Sequence, residues 1–286
     1  MEGQEFLMNI IKLRKMLEQF FIEDIGSRDL SSDLLFSEKD QGELTLIAKD
    51  KGTFCGCKII CEGFKMIDSQ ITVSCEVKDG EKVDAGTVIA KAKGAIQNLL
   101  KGERVILNLI QRMSGIATTT SQAVSKVKGY NTRICDTRKT MPGLRMLDKY
   151  AVRKGGGYNH RNGLYDAVML KDNHIAFTGS IKNAVNKVKE QLGHTVKVEV
   201  EIETKQQLLE AIEAKADMIM FDNRTPTEIS SWLPYVPNEI STEASGSITL
   251  DTIESYAKTG VQYISLGCLT HSVKALDISA KVTVKK

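Results

Sequence analysis

Charged side chains in the second half of the chain follow short apolar runs, in an order that suits a small, multiply anionic ligand. Arg138 and Lys139 follow RICDT, and Lys171 follows VML. Acids come next, with Glu201 in VKVEVEI and Asp222 near the end of ADMIMFDN. Guanidinium and ammonium groups bind carboxylates and phosphates, and a hydrogen bond to a charged group contributes about 1.5–3 kcal/mol. The order predicts an anion pocket beside a zone that binds hydroxyls or a metal.

Four cations in this region come from three separate segments: Arg138 and Lys139, Arg161, and Lys171. Residues 133–174 hold nine Lys and Arg against four acids, a local charge of +5 in a chain of net charge +3. A pair of these cations could simply face Asp136 or Asp166 on a solvated rim, where ion pairs are weak. Convergence of all four is harder to explain without a bound anion, because like charges repel.

The acids in the middle of this order predict a magnesium site. Glu199 and Glu201 share one face of VKVEVEI, because side chains alternate along a strand. If that face is exposed to solvent, the two acids do not indicate a binding site. Parallel strands, however, are usually buried on both faces. Mg²⁺ typically takes one or two carboxylates together with substrate phosphates. Glu201 and Asp222 are therefore the predicted metal ligands.

Two glycine-containing stretches could bind an anion. EASGSITLDTIESY places Ser245, Gly246 and Ser247 between a strand end and a helix start, where free N–H groups attract phosphate. Serine and glycine also cap ordinary helices, so this motif is weak in isolation. Gly267, at the next strand end, would let the backbone approach the same phosphate.

The stretch KGGGYNHRNG, residues 154–163, fits a phosphate cradle, a carboxylate pocket or a flexible connector when it is taken alone. Its glycines suit a tight turn after a predicted helix over residues 144–153. That turn would bring His160 and Arg161 to the strand-end rim, where the histidine would add a pH-sensitive contact. The stretch alone does not decide among the three; the carboxylate pocket is the interpretation that a family resemblance implies.

From residue 131 onward the chain alternates between predicted strands and helices. The strands are NTRICDT, YDAVMLKDN, VKVEVEI, ADMIMFDN, EISTEAS and YISLGCL. The helices between them are LRMLDKYAVRK, IKNAVNKVKEQLG, KQQLLEAIEAK and LDTIESYAKTG. Such alternation favours parallel strands with right-handed crossovers. About 140 residues are too few for a complete eight-fold barrel of ~250 residues, which predicts an incomplete α/β barrel; a doubly wound open sheet is the alternative.

The first part of the chain predicts a separate α/β domain. Residues 4–22 show helical apolar spacing, and residues 42–57 and 71–94 alternate apolar and polar residues, with Asp-Gly and Ala-Gly turns between them. A long helix over residues 102–127 follows, with an expected interruption near Ser114-Gly115. That interruption sets the predicted boundary between domains at 1–113 and 114–272.

Composition excludes several classes of protein. Hydrophobic residues make up 42% and charged residues 26% of the chain, which argues against disorder. The small net charge gives no sign of a nucleic-acid surface. Cys55, Cys57 and Cys61 lack a CxxC pair and a fourth ligand, so the cysteines are expected to be reduced thiols. The absence of a signal peptide and of an 18-residue apolar run predicts a cytoplasmic protein with no membrane span.

Several motifs together resemble the quinolinate phosphoribosyltransferase family. ERVILNLIQRMSGIAT, DTRKTMPGLRMLDKYAVRKGGGYNHR, YDAVMLKDNHI, VEVE, FDN, EASG and SLGCLTHS occur in this order with the family's spacing. The resemblance implies transfer of phosphoribosyl from phosphoribosyl pyrophosphate to quinolinate with Mg²⁺, giving nicotinate mononucleotide, pyrophosphate and CO₂. It implies an N-terminal α/β sandwich completed by residues 273–286, an open α/β barrel, and a homodimer that closes each barrel mouth with the partner's N-terminal domain.

The resemblance also implies roles for individual residues. The catalytic positions would be Lys139, Lys171, Glu201 and Asp222, the last two also holding the metal. The quinolinate pocket would comprise Thr137, Arg138, His160, Arg161 and Lys171, with Arg104 reaching in from the partner subunit. The 5′-phosphate loops would comprise Ser245, Gly246, Ser247 and Gly267. The family usually has glycine where Ser247 stands; phosphate binding should survive if the backbone there does not need a positive φ.

Three alternatives stay open on the sequence. A relative with the same scaffold could act on another substrate, such as nicotinate, although the full cation set favours a dicarboxylate. A non-catalytic phosphosugar-binding protein would need the phosphate loops but not both Glu201 and Asp222 with the quinolinate cations. A barrel aldolase would use Lys171 to form a Schiff base.

Overall fold

A computed structural model describes residues 8–284, which divide into two compact units. The first unit contains the residues up to Thr119, residues 146–156 and the residues from Val273 onward. The second contains residues 120–145 and 157–272. Residues 4–7 and 285–286, which belong to the predicted first helix and the predicted C-terminal tail, lie outside the described residues.

Residues 8–126 form four helices and five strands. In chain order these are α1 (Ile10–Ile25), α2 (Ser32–Leu35), β1 (Gln41–Ala48), β2 (Gly52–Thr53), α3 (Cys57–Ile67), β3 (Thr72–Cys75), β4 (Lys82–Val83), β5 (Val88–Ala95) and α4 (Ile96–Lys126). The Asn9 side chain caps α1 by accepting from the N–H of Lys12. This cap explains why the helix begins at residue 10, later than the predicted residue 4.

The later residues form the remaining elements. In chain order these are β6 (Arg133–Cys135), α5 (Arg145–Lys154), β7 (Val168–Leu170), α6 (Asp172–Thr178), α7 (Ile181–Lys189), β8 (Val198–Ile202), α8 (Lys205–Glu213), β9 (Met218–Asp222), α9 (Pro226–Trp232), a 3₁₀ turn (Leu233–Tyr235), β10 (Ser241–Ser245), α10 (Ile253–Ala257), β11 (Tyr263–Ser265), α11 (Cys268–His271) and β12 (Ile278–Val284). Each of the six strands predicted from residue 131 onward is present.

The first unit is built around an antiparallel sheet of order β12-β1-β5-β3. The last strand, β12, pairs along the whole of β1, from Gly42 opposite Val284 to Ala48 opposite Ile278. A separate two-stranded pair joins β2 to β4. Alternate residues of β1 are buried, as expected for a sheet with one face on a core.

The predicted interruption of the long helix at Ser114-Gly115 is wrong. Helix α4 runs without a break from Ile96 to Lys126. A Cβ atom on Gly115 would lie 2.2 Å from the carbonyl oxygen of Lys274. The glycine therefore allows close approach of a neighbouring backbone instead of ending the helix.

The second unit is built on a parallel sheet of order β6-β11-β10-β9-β8-β7. Among the described residues β6 and β7 pair on one side only, so the sheet does not close. The predicted open α/β barrel is confirmed, and the doubly wound order is not found. Because all six strands run in parallel, their carboxyl ends meet at one rim, where ligands bind in folds of this kind.

The six cysteines are all free thiols, as expected. Cys61 and Cys75 approach each other, with their Sγ atoms 4.0 Å apart, and burial raises the pKa of the Cys55 thiol. Within residues 8–284, the helices are too short or too polar to cross a bilayer.

Candidate active site

Most of the predicted site residues lie at or just beyond the carboxyl ends of the six parallel strands. Thr137, Arg138 and Lys139 follow β6, and Lys171 follows β7. The remaining positions are Glu201 in β8, Asp222 and Ser245 at the last residues of β9 and β10, and Gly267 after β11. The register aligns Ser245 with Asp222 on adjacent strands. The rim thus brings these residues together in the predicted order.

The segment after the three glycines lies along the open edge strand β6. Tyr158 forms a parallel bridge with Cys135, its N–H donating to the carbonyl of Ile134 over 2.7 Å. The fully buried Asp136 accepts from the backbone N–H of His160 at 2.8 Å and from the Asn159 amide at 2.6 Å. The chain is therefore fixed on β6 by backbone pairing and by one carboxylate.

The His160 ring is held by protein atoms at both nitrogens. Its Nδ1 accepts a hydrogen bond from the backbone N–H of Arg161 at 2.8 Å. Its Nε2 lies 3.1 Å from Glu199 Oε2 and 3.5 Å from Glu243 Oε2. Because Nδ1 accepts, the ring proton belongs on Nε2, where it points at the two carboxylates.

The two carboxylates beside His160 are buried in the barrel interior, with Glu199 3% and Glu243 1% exposed. Burial, reinforced by the charge of Glu199, raises the pKa of Glu243 to about 8. One ligand atom from each of His160, Glu199 and Glu243 lies within 4.8 Å of the others, a spacing at which a metal could be considered. The sequence placed Glu199 on the same strand face as Glu201, but neither Glu199 nor Glu243 was predicted as a site residue; the signal for each was an acid within an apolar strand.

Arg138 and Arg161 are two of the cations predicted for the anion pocket. Burial lowers the pKa of Arg161, and the charge of Arg138 lowers it further. Arg161 donates to the carbonyl of Ala167 at 3.4 Å and lies 3.3 Å from the sulfur of Met169. The buried Nε of Arg138 has no hydrogen-bond partner among the residues that the structure describes. A buried donor without a partner is costly, so this pair favours a bound anion.

Lys171, Glu201 and Asp222 form the next part of the rim. Lys171 and Glu201 make an ion pair. Burial raises the pKa of Glu201, Lys171 opposes that rise, and the charge of Asp222 adds to it. Two carboxylates close enough to repel fit a divalent cation, and Mg²⁺ usually takes one or two carboxylates with substrate phosphates. The donor set therefore fits the predicted metal.

The glycine turns occupy the far side of the rim. Gly246 has φ +90°, and a Cβ there would lie 2.2 Å from Asn223 Oδ1. Ser247 has φ +53°. Phosphate binding was expected to tolerate a serine here only if the backbone did not need a positive φ, and the backbone does have one. Its hydroxyl lies 3.5 Å from the same Asn223 oxygen. This turn, predicted to bind phosphate, is thus held in a left-handed conformation that a serine adopts at some cost.

Gly267 lies beside the side chains that would face a pyrophosphate. A Cβ at this position would lie 2.9 Å from His271 Cδ2 and 3.1 Å from Lys139 Cδ. Thr270 donates to the carbonyl of Lys139 at 2.8 Å, which ties α11 to the end of β6. His271 belongs to the motif SLGCLTHS but was not predicted as a site residue. Only its spacing after Gly267 could have indicated it.

Two predicted residues have other surroundings. Thr137 Oγ1 accepts from the backbone N–H of Lys139 at 3.0 Å and so shapes its own loop. Arg104 is exposed on α4, in the first unit. Its predicted role across a dimer interface concerns a second subunit.

The second unit is an open parallel α/β barrel. Its rim carries two arginine guanidinium groups, a lysine beside two carboxylates, and a glycine turn. This combination is typical of an enzyme that joins a small anion to a phosphorylated partner. The chain belongs to the quinolinate phosphoribosyltransferase family. The family models for the N-terminal and C-terminal domains of quinolinate phosphoribosyl transferase match residues 29–114 and 116–281.

Individual relatives agree with this assignment over nearly the whole chain. The chain is 54% identical to a probable nicotinate-nucleotide pyrophosphorylase [carboxylating] of Bacillus subtilis, over 97% of this chain and 96% of the relative. It is similar in structure to NadC from Streptococcus pyogenes, with a TM-score of 0.93, 36% identity and coverage of 97% and 99%. The nicotinate-nucleotide pyrophosphorylase of Francisella tularensis gives a TM-score of 0.93 at 37% identity, covering 99% and 100%.

Proposed function

We propose that this enzyme transfers the phosphoribosyl group of phosphoribosyl pyrophosphate to the ring nitrogen of quinolinate, with loss of one carboxylate as CO₂. The products are nicotinate mononucleotide and pyrophosphate, a step of NAD biosynthesis. The family assignment supports the reaction, and one observation in the pocket supports the substrate. The charges of Arg138 and Arg161 repel each other, and the buried Nε of Arg138 has no hydrogen-bond partner within the described residues. Quinolinate carries two adjacent carboxylates, which match two guanidinium forks.

Binding orients the pyridine nitrogen for attack. Arg138, Arg161 and Lys171 neutralise the two carboxylates and fix the ring, so that its nitrogen faces ribose C1. Holding both reactants in this geometry replaces a bimolecular encounter with a local one. No general base is needed, because the nitrogen attacks through its own lone pair.

Departure of pyrophosphate is assisted by charge at the far side of the rim. Lys139, beside Gly267 and His271, is placed to stabilise the negative charge that develops on the leaving group. The turn at Ser245, Gly246 and Ser247 offers backbone N–H groups to the 5′-phosphate. Mg²⁺, held by Glu201 and Asp222, would supply further neutralisation of the pyrophosphate when bound.

Decarboxylation follows from the charge left on the ring. When the nitrogen has bonded to C1, the ring is cationic and withdraws electrons from the adjacent carbon. The bond to the neighbouring carboxylate then breaks, CO₂ leaves, and the electron pair stays on the ring carbon, which takes up a proton. The second carboxylate remains bound to a guanidinium and becomes the carboxylate of nicotinate.

The assembly and the location extend the proposal. The enzyme would work as a homodimer in the cytoplasm, with Arg104 of each subunit entering the pocket of the other. Exposure of Arg104 on the long helix α4 supports this role. A dimer would add a further cation to a dianionic substrate, and assembly beyond the dimer is compatible with the same contact.

The proposal is tested by an assay for nicotinate mononucleotide in which quinolinate and nicotinate compete for phosphoribosyl pyrophosphate and Mg²⁺. Quinolinate should be strongly preferred, and the wild-type pocket should require both arginines. Arg138→Met should lower kcat/KM for quinolinate by about 100-fold or more, since a charged hydrogen-bonding fork is lost. Arg138→Lys, which keeps the positive charge but not the bidentate guanidinium, is the matched control. It should recover only part of the lost kcat/KM for quinolinate. A preference for nicotinate would reject the substrate assignment.

The aldolase alternative is not favoured by the geometry. A Schiff-base lysine must offer a free amine to a carbonyl substrate, whereas the Lys171 Nζ is engaged by Glu201 in an ion pair. The phosphosugar-binding alternative leaves the paired arginines without a ligand.

A further inference from the structure

The His160 ring has no nitrogen left for a substrate. The N–H of Arg161 donates to Nδ1 at 2.8 Å, and Nε2 faces Glu199 and Glu243 at 3.1 and 3.5 Å. A neutral imidazole carries one donor and one acceptor, and both are used here. The ring side chain is 13% exposed. His160 therefore contacts the pocket through Arg161, the next residue along the chain.

We propose that Glu199 and Glu243 are positioning residues for quinolinate binding, which fix the tautomer of His160 and through it the backbone and side chain of Arg161. This inference rests on the proposed function, since it assigns the role of Arg161 to quinolinate. The chain of contacts runs from the carboxylates to Nε2, through the ring to Nδ1, and from Nδ1 to the N–H of Arg161. Asp136 holds the same turn from β6 by accepting the N–H of His160.

The hydrogen bonds argue against a metal at this cluster. A metal on Nε2 would use the lone pair of that nitrogen and would leave the ring proton on Nδ1. Nδ1 would then direct its N–H at the N–H of Arg161, 2.8 Å away, with two donors facing each other. The observed contact needs the opposite tautomer. The cluster is built to hold a proton between a ring and two acids.

The cluster is also not an ordinary piece of barrel core. Glu199 and Glu243 each keep one buried oxygen, Oε1, with no hydrogen-bond partner within the part of the chain that the structure describes. Buried carboxylates without full hydrogen bonding destabilise a fold, and apolar side chains of similar size would fill the space at lower cost. Glu201 on β8 and Ser265 on β11 are the other polar groups whose interactions with Glu243 affect its ionisation. Such a cost is typical of groups that position a functional site.

The first experiment reads the tautomer directly in the wild-type enzyme. Long-range proton–nitrogen NMR spectra of protein labelled with ¹⁵N-histidine distinguish a protonated from an unprotonated ring nitrogen. His160, assigned by its loss in His160→Gln, should show a protonated Nε2 and an unprotonated Nδ1 at neutral pH. The exposed His194 serves as an internal reference. A proton on Nδ1, or on both nitrogens, would overturn the inference whatever the enzyme's substrate.

The second experiment separates positioning from general structural support. Glu199→Ala should raise KM for quinolinate by about tenfold or more, because the held ring and Arg161 lose their anchor, and should leave KM for phosphoribosyl pyrophosphate within about twofold. Glu199→Gln keeps an oxygen that can accept from Nε2 and should recover most of the loss. Glu243→Ala, which removes the longer contact, should have the smaller effect.

Each result of these variants bears on the inference. Equal rises in both KM values, or wild-type KM for quinolinate in Glu199→Ala, would overturn it. If Glu199→Ala does not fold, the comparison of Glu199→Gln with wild type and the wild-type NMR spectrum still decide. If the wild-type enzyme instead prefers nicotinate, the proposed function fails while the tautomer measurement keeps its own outcome.

Discussion

Lys171 and Glu201 form an ion pair that joins the carboxyl ends of β7 and β8. The lysine opposes the rise in the pKa of Glu201 that burial causes and that Asp222 increases. One ammonium group therefore offsets part of the cost of placing a partly buried carboxylate beside a second carboxylate. The predicted quinolinate cation and the predicted metal ligand are thus coupled.

We predict that the losses from Lys171→Met and Glu201→Gln are far from additive. Each single change should lower kcat/KM by about 100-fold or more, because each breaks the same pair. The double variant should lose little beyond the worse single variant. Steady-state kinetics of the four proteins measures the coupling. Lys182→Met, which breaks the exposed pair with Glu213, is the control and should leave kcat/KM unchanged. Additive losses would contradict the coupling.

Ser247→Gly should stabilise the enzyme. Ser247 has φ +53°, a left-handed conformation that costs an L residue about 1–2 kcal/mol and glycine almost nothing. Glycine's greater freedom in the unfolded chain offsets part of this gain, so the expected increase is about 1 kcal/mol. Urea unfolding measures it. Ser247→Ala removes the hydroxyl but keeps the strain, and should give no increase. Lower stability of Ser247→Gly than of wild type would show that the hydroxyl contact with Asn223 outweighs the strain.

Two glycine substitutions at the phosphate side should differ in severity. Gly246→Ala combines φ +90° with a Cβ only 2.2 Å from Asn223 Oδ1, so it should both destabilise the protein and raise KM for phosphoribosyl pyrophosphate. Gly267 has φ −65°, and the nearest atoms to its Cβ would belong to the side chains of His271 and Lys139. Gly267→Ala should therefore raise KM with little loss of stability. Thermal unfolding and KM for both variants test this order, and the reverse order would contradict it.

Stability should fall with rising pH because of Glu243. Its pKa rises from 4.5 to about 8 on folding, so between these values the folded protein retains a proton that the unfolded chain has released. Each pH unit in this window should cost roughly 1 kcal/mol. Glu243→Gln, which cannot ionise, should flatten this part of the profile. Urea unfolding of both proteins across the window isolates the contribution of Glu243, and parallel profiles would refute it.

Most strands of the barrel could be predicted from the sequence. Strands β8 and β9 fall within the predicted VKVEVEI and ADMIMFDN, because a short apolar run between helical segments is a strong local signal. The helix boundaries were harder to predict. The sequence Ser114-Gly115 predicted an interruption of the long helix, but the glycine is there because the backbone of Lys274 packs against it.

The site was only partly predictable for a physical reason. The order of cations, acids and glycines follows from strand ends, which a sequence shows directly. Contacts inside the barrel do not, because they depend on which strands are neighbours. Glu243 and Glu199 lie on β10 and β8, on either side of β9, and only that order brings both to His160. The positive φ of Ser247 likewise follows from its turn and not from its residue type.

At the unclosed side of the barrel, the segment that carries the pocket side chains is attached to the sheet without being one of its six strands. The pocket segment lies on β6 through main-chain bonds between Tyr158 and β6, and these bonds do not depend on side-chain identity. A barrel closed by strand pairing would have no free edge for such a segment. In protein engineering, this edge could hold a redesigned segment at residues 157–163, provided that the side chains of Asn159 and His160, which contact Asp136, Glu199 and Glu243, are kept.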